Sequence, residues 1–545
     1  MVQPGMTITW IGMCLALGVI VGLTQPTVFT RDPAIQFDDV TPQAGLGGAL
    51  DGMMAHAAAW GDVDGDGDID LYVGGFSDRP DKDYRPAKGP VSNRLFRNQA
   101  DGRFEATRSP ALEMYGRTSH AVFVDLNNDS RPDLYVANNT RSSSSVNPQV
   151  QREAQLRRSA LFRNEGDTFV DASAGSGTCL TAPGPTRSIG VLDYDADGLL
   201  DLLVLDDRFG STPHSRLCRN LGDFRFEDVT SKAGLPGDIF GLGLAIADLN
   251  DDGRPDIFVS HSNRLFVSTS NGTYVEPEGP RKALAWRPLD PEDWPAGAAF
   301  GDLNRDGRLD LIVGIHHEHA RNRVYLNAGV ERGVPVFRNV STETGIPARL
   351  SAKSPHVEVQ DFDNDGWPDL YFSAAWQDAD GGVTPLVFRN LGVRAGLPRF
   401  EPLRQLLENT PLVYFPAGPS GDYDGDGRVD LFMANWFAGN HSRLMRNVSQ
   451  ANRWLEVSVR GRAMNRMGIG AKVRVYRAGE LDRKEGLLGL QEISSGYGFS
   501  SGQVPVAHFG LGNEPSVDVS VEFSNRRRTA VKQVEIDRRL TVTEP

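Results

Sequence analysis

Much of the usual machinery of catalysis is missing from these 545 residues. There is no G-x-S-x-G elbow to present a nucleophilic serine and no P-loop to cradle phosphates. The one dense histidine run, His316-His317-Glu318-His319, lacks the helical spacing of H-E-x-x-H, so the zinc-protease motif is absent. Cysteine is scarce. Cys14 lies inside an apolar run, which leaves Cys179 and Cys218. These two could pair in an oxidising compartment. Cys218 sits in R-L-C-R-N where other repeats read R-L-F-R-N, so it could equally be a buried apolar group. Basic residues number 57 against 71 acids, for a formal charge of −14, which argues against a nucleic-acid partner. The apolar run at residues 8–23 is only sixteen long. That is short for a membrane span and suits a signal-peptide core or an uncleaved N-terminal anchor, assigned to residues 1–30.

What the chain has in abundance is one acidic loop. Its cleanest copy, Asp422 to Asp430, reads D-Y-D-G-D-G-R-V-D. Alternating acids set several hard oxygens on one side of a tight turn, and the glycine permits the left-handed backbone that wraps the turn around an ion. That is calcium chemistry. It is not an EF-hand, because position 12 is Met433 rather than Glu and the loop runs into an apolar, strand-like segment.

The loop occurs seven times, at spacings of 54 to 68 residues. The candidate ligands at positions 1, 3, 5 and 9 are Asp62, Asp64, Asp66 and Asp70; Asp125, Asn127, Asp129 and Asp133; Asp193, Asp195, Asp197 and Asp201; Asp248, Asn250, Asp252 and Asp256. The remaining three sets are Asp302, Asn304, Asp306 and Asp310; Asp361, Asp363, Asp365 and Asp369; and Asp422, Asp424, Asp426 and Asp430. Position 6 is Gly except for Ser130, which marks the Asp125 loop as the weak site and suggests six or seven Ca²⁺ per chain. These loops hold 25 of the 71 acids, so seven Ca²⁺ would bring the protein close to neutrality.

Around each loop lie four short strands. An apolar run such as His120–Val124 precedes it and another, such as Asp133–Val136, follows. A third reads like Arg94-Leu-Phe-Arg-Asn98, and a fourth like Phe226-Glu-Asp-Val-Thr230. The Arg-Asn pair of the third strand is expected to bond the turn to the next strand. Seven four-stranded sheets arranged radially make a β-propeller. The seventh repeat lacks its fourth strand, and a spare copy, Phe37-Asp-Asp-Val-Thr41, stands at the N-terminal end. Residues 37–41 are therefore expected to complete the last blade.

These repeats resemble FG-GAP and VCBS repeats, the integrin-α-type propeller units with calcium loops. The propeller is placed at residues 35–448. From Ala451 on, fifteen basic residues face eleven acids, and alternating runs such as Trp454–Val459 read as strands of a small sandwich-like β domain, residues 449–545. This tail resembles the ASPIC and UnbV family in Asn452-x-Trp454-Leu455, Gly468-Ile469-Gly470-Ala471, Ser495-Gly496-x-Gly498-Phe499-x-Ser501 and His508-Phe509-Gly510-Leu511-Gly512. Gly502 stands where that family usually has Gln. The fold expected is all-β: a seven-bladed propeller with calcium loops plus the small tail domain. Together the parts resemble the cartilage acidic protein family. The resemblance implies a secreted, extracellular or periplasmic, calcium-binding protein of adhesion or matrix type, with no established enzyme activity.

Function divides by face. Calcium loops join the first and second strands, and the long insertions lie on the opposite face, where a protein or glycan partner is expected. The alternative is an enzyme. Inner strand ends ring a channel, and His316, His317, His319 and His356 could hold a transition metal or line a substrate site at its mouth.

Overall fold

The computed structural model describes residues 35–140, 158–166, 168–207, 213–288, 293–316, 321–346, 353–375, 387–403, 413–414, 416–450 and 452–545. The chain divides into two compact units, Met1–Pro33 and Ala34–Pro545, and all described residues belong to the second. The expected leader or anchor at 1–30, His317 and His319 lie outside the described residues. Among the described residues no helix is long and apolar enough to cross a membrane.

Among the described residues, seven antiparallel sheets of this repeat follow one another, six of them four-strand meanders and the last taking its outer strand from the N-terminal end. The first runs Ala55–Gly61, Asp70–Gly75, Arg94–Asn98 and Phe104–Thr107. Burial falls outward along each. The first and second strands are buried on both faces, whereas the outer strand Phe104–Thr107 keeps only its first residue in the core. Neighbouring sheets supply that cover. Leu203, Leu205 and Leu217 of one sheet pack with Leu244, Ile257 and Phe266 of the next in a single cluster. Each such side chain, fully buried, contributes about 1.5–3 kcal/mol. The inner strands thus read as largely small and apolar runs with buried polar residues, such as His120 and Arg187, near their starts, rather than as alternating ones.

The ring closes as the repeat pattern indicates. Phe37–Asp39 is the outer strand of the last sheet, pairing Phe37 with Asn447 and Asp39 with Met445. Arg443 reaches Asp39 at 2.6 Å, and Thr41 Oγ1 accepts from the Leu444 amide at 2.8 Å.

The third-strand asparagines do something the sequence reading did not anticipate. Their side-chain amides donate across the blade boundary to the carbonyl at position 2 of the preceding blade's loop. Asn164 reaches Val63 at 2.8 Å, Asn220 reaches Leu126 at 2.7 Å, and Asn447 reaches Phe362 at 2.8 Å. Asn98 closes the circle on Tyr423 at 2.7 Å. The expected bond to the following turn is present, since Asn164 accepts from the Gly166 amide and Asn220 from the Gly222 amide, both at 2.9 Å; the same asparagine also staples blade to blade. Blade four has Ser268 in this place.

The tail is a two-sheet sandwich. Strand Arg453–Arg460 lies between Val506–Gly512 and, in parallel, Arg538–Thr543. The second sheet orders Leu487–Glu492, Lys472–Arg477, Ser516–Glu522 and Arg528–Glu535. Leu455, Val457, Val473, Val475, Val519 and Val521 fill the space between them.

Candidate ion loops and the filled channel

Each loop is braced by its own acids. In the last copy, Asp422 accepts from the Asp426 amide through Oδ1 and from the Gly427 amide through Oδ2, both at 3.0 Å. Asp426 caps the Arg428 amide at 3.0 Å. Asp430 accepts from Tyr423 at 3.2 Å and from Asn447, on the third strand, at 2.7 Å. This scheme recurs at position 9 of all seven loops, so that aspartate ties loop to third strand as well as offering oxygen.

Gly427 has φ +83°, and a Cβ there would lie 2.0 Å from the indole of Trp454. Ser130 holds the corresponding place at φ +69° and donates its amide to Asp125 at 2.8 Å. The Asp125 loop therefore closes as its neighbours do. Position 4 also takes left-handed backbone, as at Asn128, Asp251 and Asn364, a requirement the glycine at position 6 had obscured.

Carboxylate oxygens crowd inside these turns. Asp62, Asp64 and Asp66 bring one oxygen each within 4.8 Å of one another, as do Asp193, Asp195 and Asp197, Asp361, Asp363 and Asp365, and Asp422, Asp424 and Asp430. In the other three loops position 3 is Asn, which also offers an oxygen. Burial raises Asp70, Asp133, Asp193, Asp302 and Asp422 to about 7 and Asp256 to about 8, nearby acids add to the effect in each, and at Asp70 Arg97 opposes it. Such a set of hard oxygens, held close at an electrostatic cost, fits a divalent cation of the calcium type.

Arginines temper the crowding. Where position 3 is Asp, the third strand sends one in: Arg97 to Asp64, Arg219 to Asp195 at 2.7 Å, Arg389 to Asp363 at 2.6 Å, and Arg446 to Asp424 at 2.6 Å. Where position 3 is Asn, position 7 is Arg instead: Arg131, Arg254 and Arg308. Arg131 meets Asp129 at 2.7 Å, and Arg308 meets Asp306.

The channel is not an open mouth. A hairpin of the tail, residues 495–503, enters it from the loop side. Ser501 and Gly502 form a parallel fifth strand against Ala58 and Ala59 of blade one. The Gly498 amide is shared by the carbonyls of Leu244 and Ala298, at 3.0 and 2.9 Å. The Gly418 amide reaches Ser501 Oγ at 3.1 Å. A Cβ on Gly502 would meet the Ala121 carbonyl at 2.6 Å, which accounts for glycine where the resembled family has Gln.

This hairpin overturns the histidine reading at His356. That ring is fully buried; Nδ1 accepts from the Phe499 amide at 3.0 Å, which leaves Nε2 to donate to Glu358 at 2.7 Å. Neither nitrogen is free for a metal. Glu358 also accepts from Gln503 at 2.9 Å, Tyr497 at 2.7 Å and Ser420 at 3.1 Å, so the dyad anchors the plug. His316 stacks on Trp294 at 6.0 Å, and burial lowers its pKa to about 3. Among the described residues, the acid groups close enough to hold an ion contain no histidine. A glycine-dense stretch, with Gly496, Gly498 and Gly502 in eight residues, was the available signal for a segment threaded between strands.

The sandwich covers the loop face. Lys472 lies 3.2 Å from Asp248 and also contacts Asp251. Arg539 lies 3.5 Å from Asp422. His508 donates to Asn364 at 2.8 Å, and the Arg466 amide donates to Asn128 at 2.9 Å. Elsewhere, Cys179 and Cys218 are joined as a disulfide, which settles the two readings of that pair.

Residues 80–136 and 193–259 match the FG-GAP-like repeat, and residues 461–545 match ASPIC and UnbV. Cartilage acidic protein 1 of Mus musculus is 26% identical over 490 residues, covering 86% of this chain and 70% of that protein. Its Xenopus tropicalis counterpart is 25% identical over 519 residues, covering 90% and 74%. Solved structures that resemble it include the extracellular domain of a two component system from B. thetaiotaomicron, with TM-score 0.37 and 12% identity over 77% of this chain and 40% of that one. Another is the Dos1 propeller, with TM-score 0.35 and 10% identity over 76% and 95%. FG-GAP-like repeats followed by an ASPIC and UnbV domain are thus found in this chain, and its similarity to cartilage acidic protein 1 extends over most of its length.

Proposed function

We propose that the chain works outside the cytoplasm as a calcium-loaded interaction scaffold. The observation that carries this reading is the sevenfold recurrence of one oxygen-donor loop whose buried acids repel one another. Positions 1, 3, 5 and 9 of each loop would hold the ion. Bound Ca²⁺ would reverse the repulsion and stiffen each hairpin, and extracellular modules of this kind bind at roughly 10⁻⁴ to 10⁻³ M. The Cys179–Cys218 disulfide and the apolar run at 8–23 accord with export.

Calcium and the tail would then be linked. Lys472 and Arg539 rest on position-1 aspartates, and Asn128 and Asn364 grip the sandwich from position 4. Loading the loops would set the surface on which the tail sits. The face away from the loops is left for a protein or glycan partner. Near the channel it carries half-buried Trp436, which packs edge to face at 4.4 Å on the buried ring of Phe76, with Arg79 5.3 Å over the indole.

Elemental analysis of the dialysed protein tests the first step. Six or seven calcium ions per chain are expected, and none or one would sink the reading. Trp436→Ala should reduce capture of extracellular proteins or glycans without changing the calcium content. Undiminished capture would move the partner site elsewhere.

A further inference from the structure

Three of the seven loops, those beginning at Asp125, Asp248 and Asp302, have Asn at position 3 and so hold three ligand carboxylates instead of four. All three also have an arginine at position 7. In the Asp125 and Asp302 loops that arginine reaches water, with side chains 49% and 36% exposed at Arg131 and Arg308. The Asp248 loop has Arg254 in this place and a second cation besides. Lys472 opens the sandwich strand Lys472–Arg477, and its ammonium lies 3.2 Å from Asp248 Oδ2, on a side chain only 6% exposed. Glu492, its partner on the next strand, takes the Asp248 amide on both carboxylate oxygens, at 3.2 and 3.0 Å. The tail thus holds position 1 of this loop by its carboxylate and by its backbone.

Acids balance this ammonium. Asp248 and Asp251 touch it, and Glu492 faces it. Asp251, at position 4, is not one of the candidate ligands; its side chain is 61% exposed and lies 3.5 Å from Arg474 as well. The other cations near these loops are placed differently. Arg305, at position 4 of the Asp302 loop, stacks on Trp367 and donates to the Leu487 carbonyl. Arg539 is 39% exposed, lies nearer to Glu456 than to Asp422, and adjoins a loop with four carboxylates. Ser130 leaves the Asp125 loop closed, since its amide meets Asp125 at 2.8 Å, as Gly253 meets Asp248.

We infer, resting on the calcium loading proposed above, that Lys472 is a built-in competitor of the ion in the Asp248 loop, so that this loop binds Ca²⁺ about tenfold more weakly than the other six. An enclosed charge is little screened by water or salt. A divalent ion held by Asp248 would therefore lie beside a charge of its own sign, in a loop already one carboxylate short. Affinity in oxygen-ligand loops follows the number of ligand charges. To make way, Lys472 would have to leave its seat and give up both Asp248 and Asp251. Filling this loop and seating the tail on it therefore oppose each other. The Asp125 loop, singled out in the sequence by its serine, fills with the rest.

The test is equilibrium dialysis of the full chain against radioactive calcium. Six Ca²⁺ should bind first, and a seventh at a free concentration about tenfold higher. Lys472→Gln should bring the seventh into line with the rest, and Lys472→Gln combined with Asp252→Asn should lose it again. A cooperative melting transition in calcium shows that a variant is folded. If the variants do not fold, anomalous diffraction from crystals of the unaltered chain, at calcium that fills six sites, decides instead. Density is then expected in the Asp125 loop and none in the Asp248 loop. Seven equal sites, an unmoved seventh site in folded Lys472→Gln, or an occupied Asp248 loop beside an empty Asp125 loop would overturn the inference while leaving calcium loading in place. No bound calcium at all would overturn both.

Discussion

Blades four and seven carry the same loop pattern, with Asp at positions 1, 5 and 9, yet different groups hold them. Blade seven has Asn447 stapling it to blade six, Arg446 on Asp424 and Arg428 on Asp426. Blade four has Ser268 in place of the asparagine and Val267 in place of the arginine. What it gains is Lys472 of the tail, 4% exposed and lodged on Asp248 and Asp251. Blade seven is braced mainly by its own repeat, with Arg539 of the tail 3.5 Å from Asp422, whereas blade four leans on the domain that lies on it. A shared loop pattern therefore does not mean equal support, and the tail contributes bracing that one repeat lacks.

The comparison can be broken most strongly by removing what the blades share. Chelation at pH 7 should lower the melting temperature by on the order of 10 °C, since every ion bound only to the folded state stabilises it. The pH sign follows from the raised carboxylates. Asp193, Asp302 and Asp422 lie near 7 in the folded chain and near 3.8 unfolded. The ion-free protein then holds more protons folded than unfolded between these values, so its stability falls as pH rises through about 4 to 7. Scanning calorimetry in chelator across that window checks this; stability rising with pH would contradict it.

Smaller effects separate the two blades. Lys472→Met should cost about 3 kcal/mol in urea unfolding of the ion-free protein, because it leaves the buried Asp248 carboxylate without its partner, and less once calcium is added. Asn447→Ala removes bonds to Phe362 and Val429 and should cost about 2 kcal/mol. The smallest change runs the other way. Ser268→Asn should stabilise by about 1 kcal/mol if its amide reaches the Tyr194 carbonyl, the place corresponding to the other staples. No gain in urea midpoint would show that blade four is built around the serine.

The loops, the all-β class and the closing strand were legible because each rests on local chemistry: alternating acids, turn glycines, a displaced copy of F-x-x-V-T. The staples were not. Asn447 and Phe362 are 85 residues apart, and no spacing tells which distant carbonyl an amide will meet. The reading of His356 failed for a related reason. His356 does begin an inner strand, but whether its ring faces solvent depends on Phe499 of a domain 143 residues away. Repeats announce themselves within one unit; what fills the space between units is decided by partners remote in sequence.

The strand Phe37–Asp39 pairs with Arg443–Asn447, and this has a consequence in time. During synthesis at about 5–20 residues per second, that first strand waits roughly 20–80 seconds before its partner exists. Until then the six earlier sheets have no ring to join, and an unpaired edge is open to any other chain. A nascent chain of this design needs a holding partner, or a protected passage across a membrane, for most of the period in which it is being made.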